Sequence, residues 1–217
     1  MLLLCRSALA QGFVNLDFES ADLSAYGAGP AQVPIADAIP GWTGYLGNNL
    51  QTSVLYNSLD IGSANLAILG TNNSLGIGTI PGNSYTVVLQ AGASGQDGVS
   101  AAIAQTALIP ATAKSILFTA NNPNFGWQVS IAGQNIPVSQ VSTVGNYYAV
   151  WAGDISAYAG QKDELRFTAL FGAGPSVNLY LDSISFSSSS VPEPSEFALT
   201  ALGALLLGFR RRRNHSP

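Results

Sequence analysis

The chain has one cysteine, Cys5, and one histidine, His215. A single cysteine excludes an internal disulfide and any metal site built from several thiolates. A Ser-His or Cys-His catalytic pair would have to recruit His215, which lies in a polar tail, so most nucleophilic hydrolase mechanisms lose their base. Charge is also scarce, at 9% of residues, and unevenly placed. Between residues 11 and 190 the bases are Lys114, Lys162 and Arg166, against ten acids: Asp17, Glu19, Asp22, Asp37, Asp60, Asp97, Asp154, Asp163, Glu164 and Asp182. So acidic a body cannot neutralise phosphates, which argues against nucleic acid as a partner. There is no glycine-rich phosphate loop and no HExxH pattern, and no stretch before residue 190 sustains an amphipathic helix.

Present instead are 23 glycines, many Ser, Thr and Asn residues, and 47% hydrophobic residues in 217. That length fits one domain with terminal signals, and the composition suits an all-β extracellular domain. The runs "SYTVVLQ" (84–90), "KSILFTA" (114–120), "WQVSIAG" (127–133) and "ELRFTALF" (164–171) have strand composition. In the last, Leu165, Phe167 and Ala169 alternate with Glu164, Arg166 and Thr168, as in a half-buried strand. "LGTNNS", "AGASGQDG" and "NNPNFG" between them are turn chemistry, and "DISAYAGQ" holds one short helical turn at most. The final run, "VNLYLDSISF" (177–186), changes parity: Val177, Leu179 and Leu181 share one face, Ile184 and Phe186 the other. A β-bulge near Asp182 and Ser183 would return both groups to one core. Eight or more strands without helices predict a two-sheet jelly-roll β-sandwich over residues 11–186.

The two ends differ from this body. Residues 1–10, "MLLLCRSALA", have the form of a truncated signal peptide, with Ala8-Leu9-Ala10 as a small-x-small cleavage pattern. Ser187 to Ser190 open a short linker over 187–191, and Pro192 and Pro194 stop any helix from running through it. Phe197 to Phe209 is apolar on all sides and lacks a polar face. As a helix it spans roughly 20 Å, short of the ~30 Å hydrocarbon core, which leaves a core helix or an interfacial segment open on length alone. Arg210, Arg211, Arg212 and Arg213 follow it and would act as a cytoplasmic membrane stop.

"VPEPS", the apolar run and "RRRR" at the extreme end resemble a PEP-CTERM sorting signal, over residues 192–213. The resemblance implies a single hydrophobic sorting helix, transient insertion in the inner membrane of a Gram-negative bacterium, and cleavage by an exosortase near Pro192, Glu193 and Pro194. The product would reach the cell surface or the extracellular (biofilm, exopolysaccharide) matrix. Within the body, "NLDFES" (15–20), "IPGW" (39–42) and "LDSISF" (181–186) resemble galactose-binding-like jelly rolls, including carbohydrate-binding modules. "DISAYAGQKDELRFTA" is similar to the penultimate segment of related exported proteins. The resemblance implies that the first and last strands meet around a structural calcium, with Glu19 and Asp182 among its ligands; carboxylate and carbonyl oxygens suit that ion. Equally, both can be ordinary turn or surface acids.

Sugar recognition needs flat aromatic faces with amides or carboxylates reading hydroxyls. The candidates are Tyr45, Trp127, Tyr147, Tyr148 and Trp151; Trp42 in "IPGW" reads better as a core anchor. One of Tyr147 and Tyr148 should face outward. Asn121, Asn122 and Asn124 could add polar contacts, although Asn-rich loops mostly satisfy their own backbone. An enzyme would have to rest on two carboxylates across a cleft. Asp163 and Glu164 are adjacent and point to opposite faces, and the other acids are scattered. The sequence therefore leads to the expectation of a non-enzymatic, carbohydrate-binding or structural matrix protein. The alternative is a carbohydrate-active hydrolase with an unrecognised carboxylate site.

Overall fold

The structure, a computed structural model, describes residues 12–60, 62–73, 75, 79–93, 98–121, 126–172 and 177–191. The expected signal peptide, sorting helix, Pro192-Glu193-Pro194 and Arg210 to Arg213 lie outside the described residues. No helix among the described residues is long and apolar enough to cross a membrane.

In chain order the strands are β1 Ala31–Pro34, β2 Thr43–Leu46, β3 Asn49–Gln51, β4 Ser53–Tyr56 and β5 Asn65–Gly70. Then come β6 Tyr85–Gln90, β7 Ala101–Leu108, β8 Ser115–Asn121, β9 Trp127–Ile131 and β10 Gln134–Asn135. The last four are β11 Val138–Val144, β12 Tyr148–Asp154, β13 Lys162–Ala169 and β14 Asn178–Ser187. One sheet has the order β1-β4-β5-β6-β14-β8-β12-β11 and the other β10-β9-β13-β7-β2-β3. The pairs are antiparallel except β4 with β5. The fold is thus a two-sheet β-sandwich. Its helical content among the described residues is α1 (Ile35–Ala38) and two short 3₁₀ turns, one of them at Ser156–Tyr158 in "DISAYAGQ".

Alternation in β13 sends Leu165, Phe167 and Ala169 into the core, all fully buried. Phe167 meets Phe118 of β8 across the two sheets, edge to face, at 5.1 Å and 76°. Each such buried ring contributes about 1.5–3 kcal/mol of hydrophobic stabilisation. Trp42 is buried against Phe18 and Phe167 and donates its indole N–H to the Asn15 carbonyl at 3.0 Å. The "IPGW" loop thereby anchors the N-terminal segment. Gly41 is required there: its φ is +86°, and a Cβ would lie 2.4 Å from Val14 Cγ2.

The last strand carries the expected bulge. Its register against β8 passes from Asp182↔Thr119 to Ser185↔Leu117, three steps along β14 against two along β8. Ser183 takes up the irregularity at φ +51°, and Leu179, Leu181 and Ile184 are all buried. β5 behaves differently: it is buried on both faces. Leu66 and Ile68 enter the main core, while Ala67 and Leu69 join Val88 in a second cluster with Leu55, Leu59 and Tyr180.

Candidate functional site

Residues 16–19 and the bulge of β14 meet at one end of the sandwich, where Ile184 N–H donates to the Leu16 carbonyl at 2.9 Å. Glu19 Oε1 accepts the backbone N–H groups of Ser84 (2.7 Å) and Tyr85 (3.1 Å). Asp182 is fully buried; its Oδ1 accepts Ser183 N–H at 2.6 Å and its Oδ2 the Thr86 hydroxyl at 3.3 Å. Burial pushes the Asp182 carboxyl up to about 7; hydrogen bonds from Asn83, Ser183 and Thr86 act downward, and the Glu19 charge adds to the rise. The structure therefore brings Glu19 and Asp182 into electrostatic contact. Both are hard oxygen donors, the kind calcium takes. Among the described residues no group of three or more His, Cys, Asp or Glu side chains gathers, so a cation here would draw its other ligands from backbone carbonyls.

The five aromatic candidates do not form one platform. Trp127 and Trp151 are buried and pack edge to face at 5.3 Å, with Trp127 also against Phe118. Their faces are covered by the core, so neither offers a surface to a sugar ring. Their indole N–H groups have no hydrogen-bond partner among the described residues. Tyr45 lies on the outer face of the second sheet beneath the Arg166 guanidinium, 4.4 Å from its ring centroid, and Arg166 pairs with Glu164 at 2.9 Å. The alanines at Ala102 and Ala104, opposite Tyr45 and Arg166 in the ladder, leave room for that contact. Tyr147 is 75% exposed, whereas Tyr148 is half-buried with its ring 6.4 Å from Tyr180. Asn121 binds the Asn178 carbonyl and Tyr180 N–H and so serves its own sheet; Asn122 and Asn124 lie outside the described residues.

A cleft elsewhere on the sandwich has no counterpart among the candidates read from the sequence. It has a volume of about 140 Å³ and opens where β2 and β3 of one sheet approach β1, β4 and β5 of the other. Gln32, Gln51, Ser53, Asp60 and Asn65 give it polar groups, and Leu46 and Leu55 apolar ones. Gly44 lets the sheets close behind it, since a Cβ there would lie 2.4 Å from Leu66 Cδ1 and 2.8 Å from Ile35 Cδ1. Asn65 Nδ2 donates to the carbonyls of Ser63 (3.1 Å) and Asp60 (3.3 Å), and Gln90 Nε2 donates to the same two carbonyls. These amides hold the Asp60 and Ser63 carbonyls. Asn65 is only 5% exposed, and its Oδ1 has no partner among the described residues. An unpaired buried acceptor is costly, so this oxygen is a local weak point of the wall behind the cleft. The volume is below the ~300 Å³ of ordinary ligand pockets, enough for one ring and not for a long segment. No sequence signal marked it, because Gln, Ser and Asn at strand edges are commonplace.

No family model matches the chain, and no curated protein matches it. Among solved structures it is similar to a Stig cyclase, Fisc, from Fischerella sp. TAU, at 15% identity and a TM-score of 0.48, over 82% of this chain and 96% of that one. A second cyclase from Fischerella sp. TAU gives 15% identity and 0.46, over 83% and 97%. The enzymatically active domain of bacteriophage CBA120 tailspike protein 4 gives 16% and 0.38, over 68% of this chain and 19% of that one. All three carry enzyme names, against the expectation that the chain is not an enzyme, and that expectation is withdrawn. At these scores the likenesses assign no activity to this chain.

Proposed function

We propose that the chain is an exported β-sandwich of the galactose-binding-like jelly-roll type that binds polysaccharide at the cell surface or in the extracellular matrix. Its C-terminal stretch is the address: transient insertion in the inner membrane, then exosortase processing near Pro192-Glu193-Pro194. The observation that carries the binding reading is the cleft, where Gln32, Gln51, Ser53, Asp60 and Asn65 stand beside Leu46 and Leu55. Amide and carboxylate groups suit sugar hydroxyls, and the leucines suit ring CH groups. A calcium ion held by Glu19 and Asp182 belongs to the same proposal; it would supply the positive charge that the buried Asp182 lacks and tie the first segment to the last strand.

A second reading, a carbohydrate-active hydrolase, rests on Asp60, the one acidic residue among the described residues that line this cleft, and requires a second carboxylate from beyond that lining. A glycan array probed with the full chain tests both. Binding that disappears in Asp60→Asn and Gln32→Ala, without consumption of the glycan, supports recognition; turnover abolished by Asp60→Asn supports the hydrolase. Binding to no glycan, or binding indifferent to both substitutions, overturns the assignment of the cleft.

A further inference from the structure

Three of the four sheet edges are blunted. β3 has three residues, β10 has two, and β1 ends in Pro34. β11 is different: it runs for seven residues, VSQVSTV, with no charge, proline or glycine, and among the described residues no strand pairs with its outer side. Such an edge presents a row of N–H and C=O groups, which proteins usually protect with charge, proline, brevity or a bulge; of these β11 has only a bulge, at Val141.

The surroundings match this openness. Between Lys114 and Asp154 the sequence holds no Asp, Glu, Lys, Arg or His. That stretch supplies β8 to β12 and therefore both edges on one side of the sandwich. Trp127 of β9 packs on Trp151 of β12, and the 136–138 connector crosses so close to β12 that a Cβ at Gly153 would lie 2.7 Å from Ile136 Cγ2. β10 and β11 thus share one uncharged lateral wall. None of the ten acids of the body falls within β9, β10 or β11, and Asp154 at the end of β12 is the one acid in the β8 to β12 stretch, so facing walls bring few like charges together.

β11 also reads nearly alike in both directions. About Val141, Val138 mirrors Val144, Ser139 mirrors Thr143 and Gln140 mirrors Ser142. Antiparallel pairing with a second β11 across a two-fold axis at Val141 sets valine against valine and hydroxyl against hydroxyl. The register of β11 on β12 shifts between Gln140 and Ser142, which puts the bulge on that same residue. With the bend on the axis, both strands bend alike. Val141 is 46% exposed. We propose that β11 is a self-association edge: a second copy of this chain adds to it antiparallel, joining two eight-stranded sheets into one continuous sheet.

Cross-linking tests this in the full chain, kept in detergent on account of Phe197 to Phe209, with Cys5→Ser as the thiol-free background. Val141→Cys should form a covalent dimer under mild oxidation at least ~10-fold faster than Leu50→Cys, because pairing raises the effective concentration of the two thiols. Leu50 is 61% exposed on the blunted edge β3, so it measures random collision. Adding Ser139→Lys and Thr143→Lys places lysine opposite lysine across the axis and should return the rate to that of Leu50→Cys. Equal rates for the two single cysteines overturn the proposal even if the lysine variant fails to fold. So does a Val141→Cys dimer that survives the lysines, or one that disappears only when co-purified glycan is digested, which would assign the wall to polysaccharide.

Discussion

Thr86 of β6 donates its hydroxyl to Asp182 of β14 at 3.3 Å, inside a bulge where the carboxyl has lost all contact with solvent. The same Thr86 Oγ1 accepts Ile80 N–H at 2.8 Å, so a neutral hydroxyl holds the loop 79–83 and the buried acid together.

That relationship has a pH signature. Burial raises the Asp182 carboxyl from its ordinary 3.8 to about 7, so between these values the folded chain holds a proton that the unfolded chain releases. Stability therefore falls as pH rises from about 4 through about 7, by on the order of a few kcal/mol, and stays low above that. Asp154 works the other way: hydrogen bonds from Ser156 lower its pKa, and its contribution is lost only as pH falls through that folded value. In EDTA, the melting temperature should drop between pH 5 and pH 8. Asp182→Asn should flatten that slope and raise the value at pH 8. An unchanged slope in the variant rejects Asp182 as the titrating group.

Calcium is expected to reverse this penalty. With Glu19 and Asp182 as ligands, a hundredfold excess of calcium over Kd should raise the melting temperature at pH 8 by roughly 5–10 °C. The response should vanish in Glu19→Gln and in Asp182→Asn. The same melting temperature in calcium and in EDTA would remove the ion from the site.

The tryptophans should behave as core. Trp127→Ala empties a site walled by Phe118 and Trp151 and should cost about 3–5 kcal/mol in urea unfolding. Tyr147→Ala, at an exposed turn, should stay within about 0.5 kcal/mol. A Trp127→Ala variant of native stability that loses glycan binding would return this residue to the list of sugar contacts.

β13 and β14 were legible from residue order because their core-facing residues, Leu165, Phe167 and Ala169 and then Leu179, Leu181 and Ile184, stand out by alternation. The parity break around Asp182 even located the bulge. β5, "NLAILG", was missed because both its faces are covered, which erases the period of two. β7, "AAIAQTAL", was missed because alanine has little strand preference of its own; its place between β13 and β2 decides. The cleft could not be read at all, since Gln32, Gln51 and Asn65 become neighbours only through the packing of two sheets. Aromatic count misdirected the site reading: two of the five candidates fill the core.

Sorting has its own test. In a host with an exosortase, mass spectrometry of the protein recovered from the surface or matrix should find a C-terminus near Pro192-Glu193-Pro194, without Arg210 to Arg213. Recovery of the intact tail from that fraction would contradict processing.

Calorimetric titration of the tightest array glycan into the full chain, beside Gln32→Ala and Gln51→Ala, addresses the cleft most directly. Both glutamines sit at strand edges, Gln32 bonded to Ser53 Oγ at 2.8 Å and Gln51 to the Asn49 carbonyl at 3.0 Å, so the fold should survive either change. The expected result is saturable binding by the native chain and a loss of roughly tenfold in each variant, near the ~1.4 kcal/mol of one hydrogen bond. Unaltered affinity in both variants, at native melting temperatures, would contradict polysaccharide recognition by this cleft.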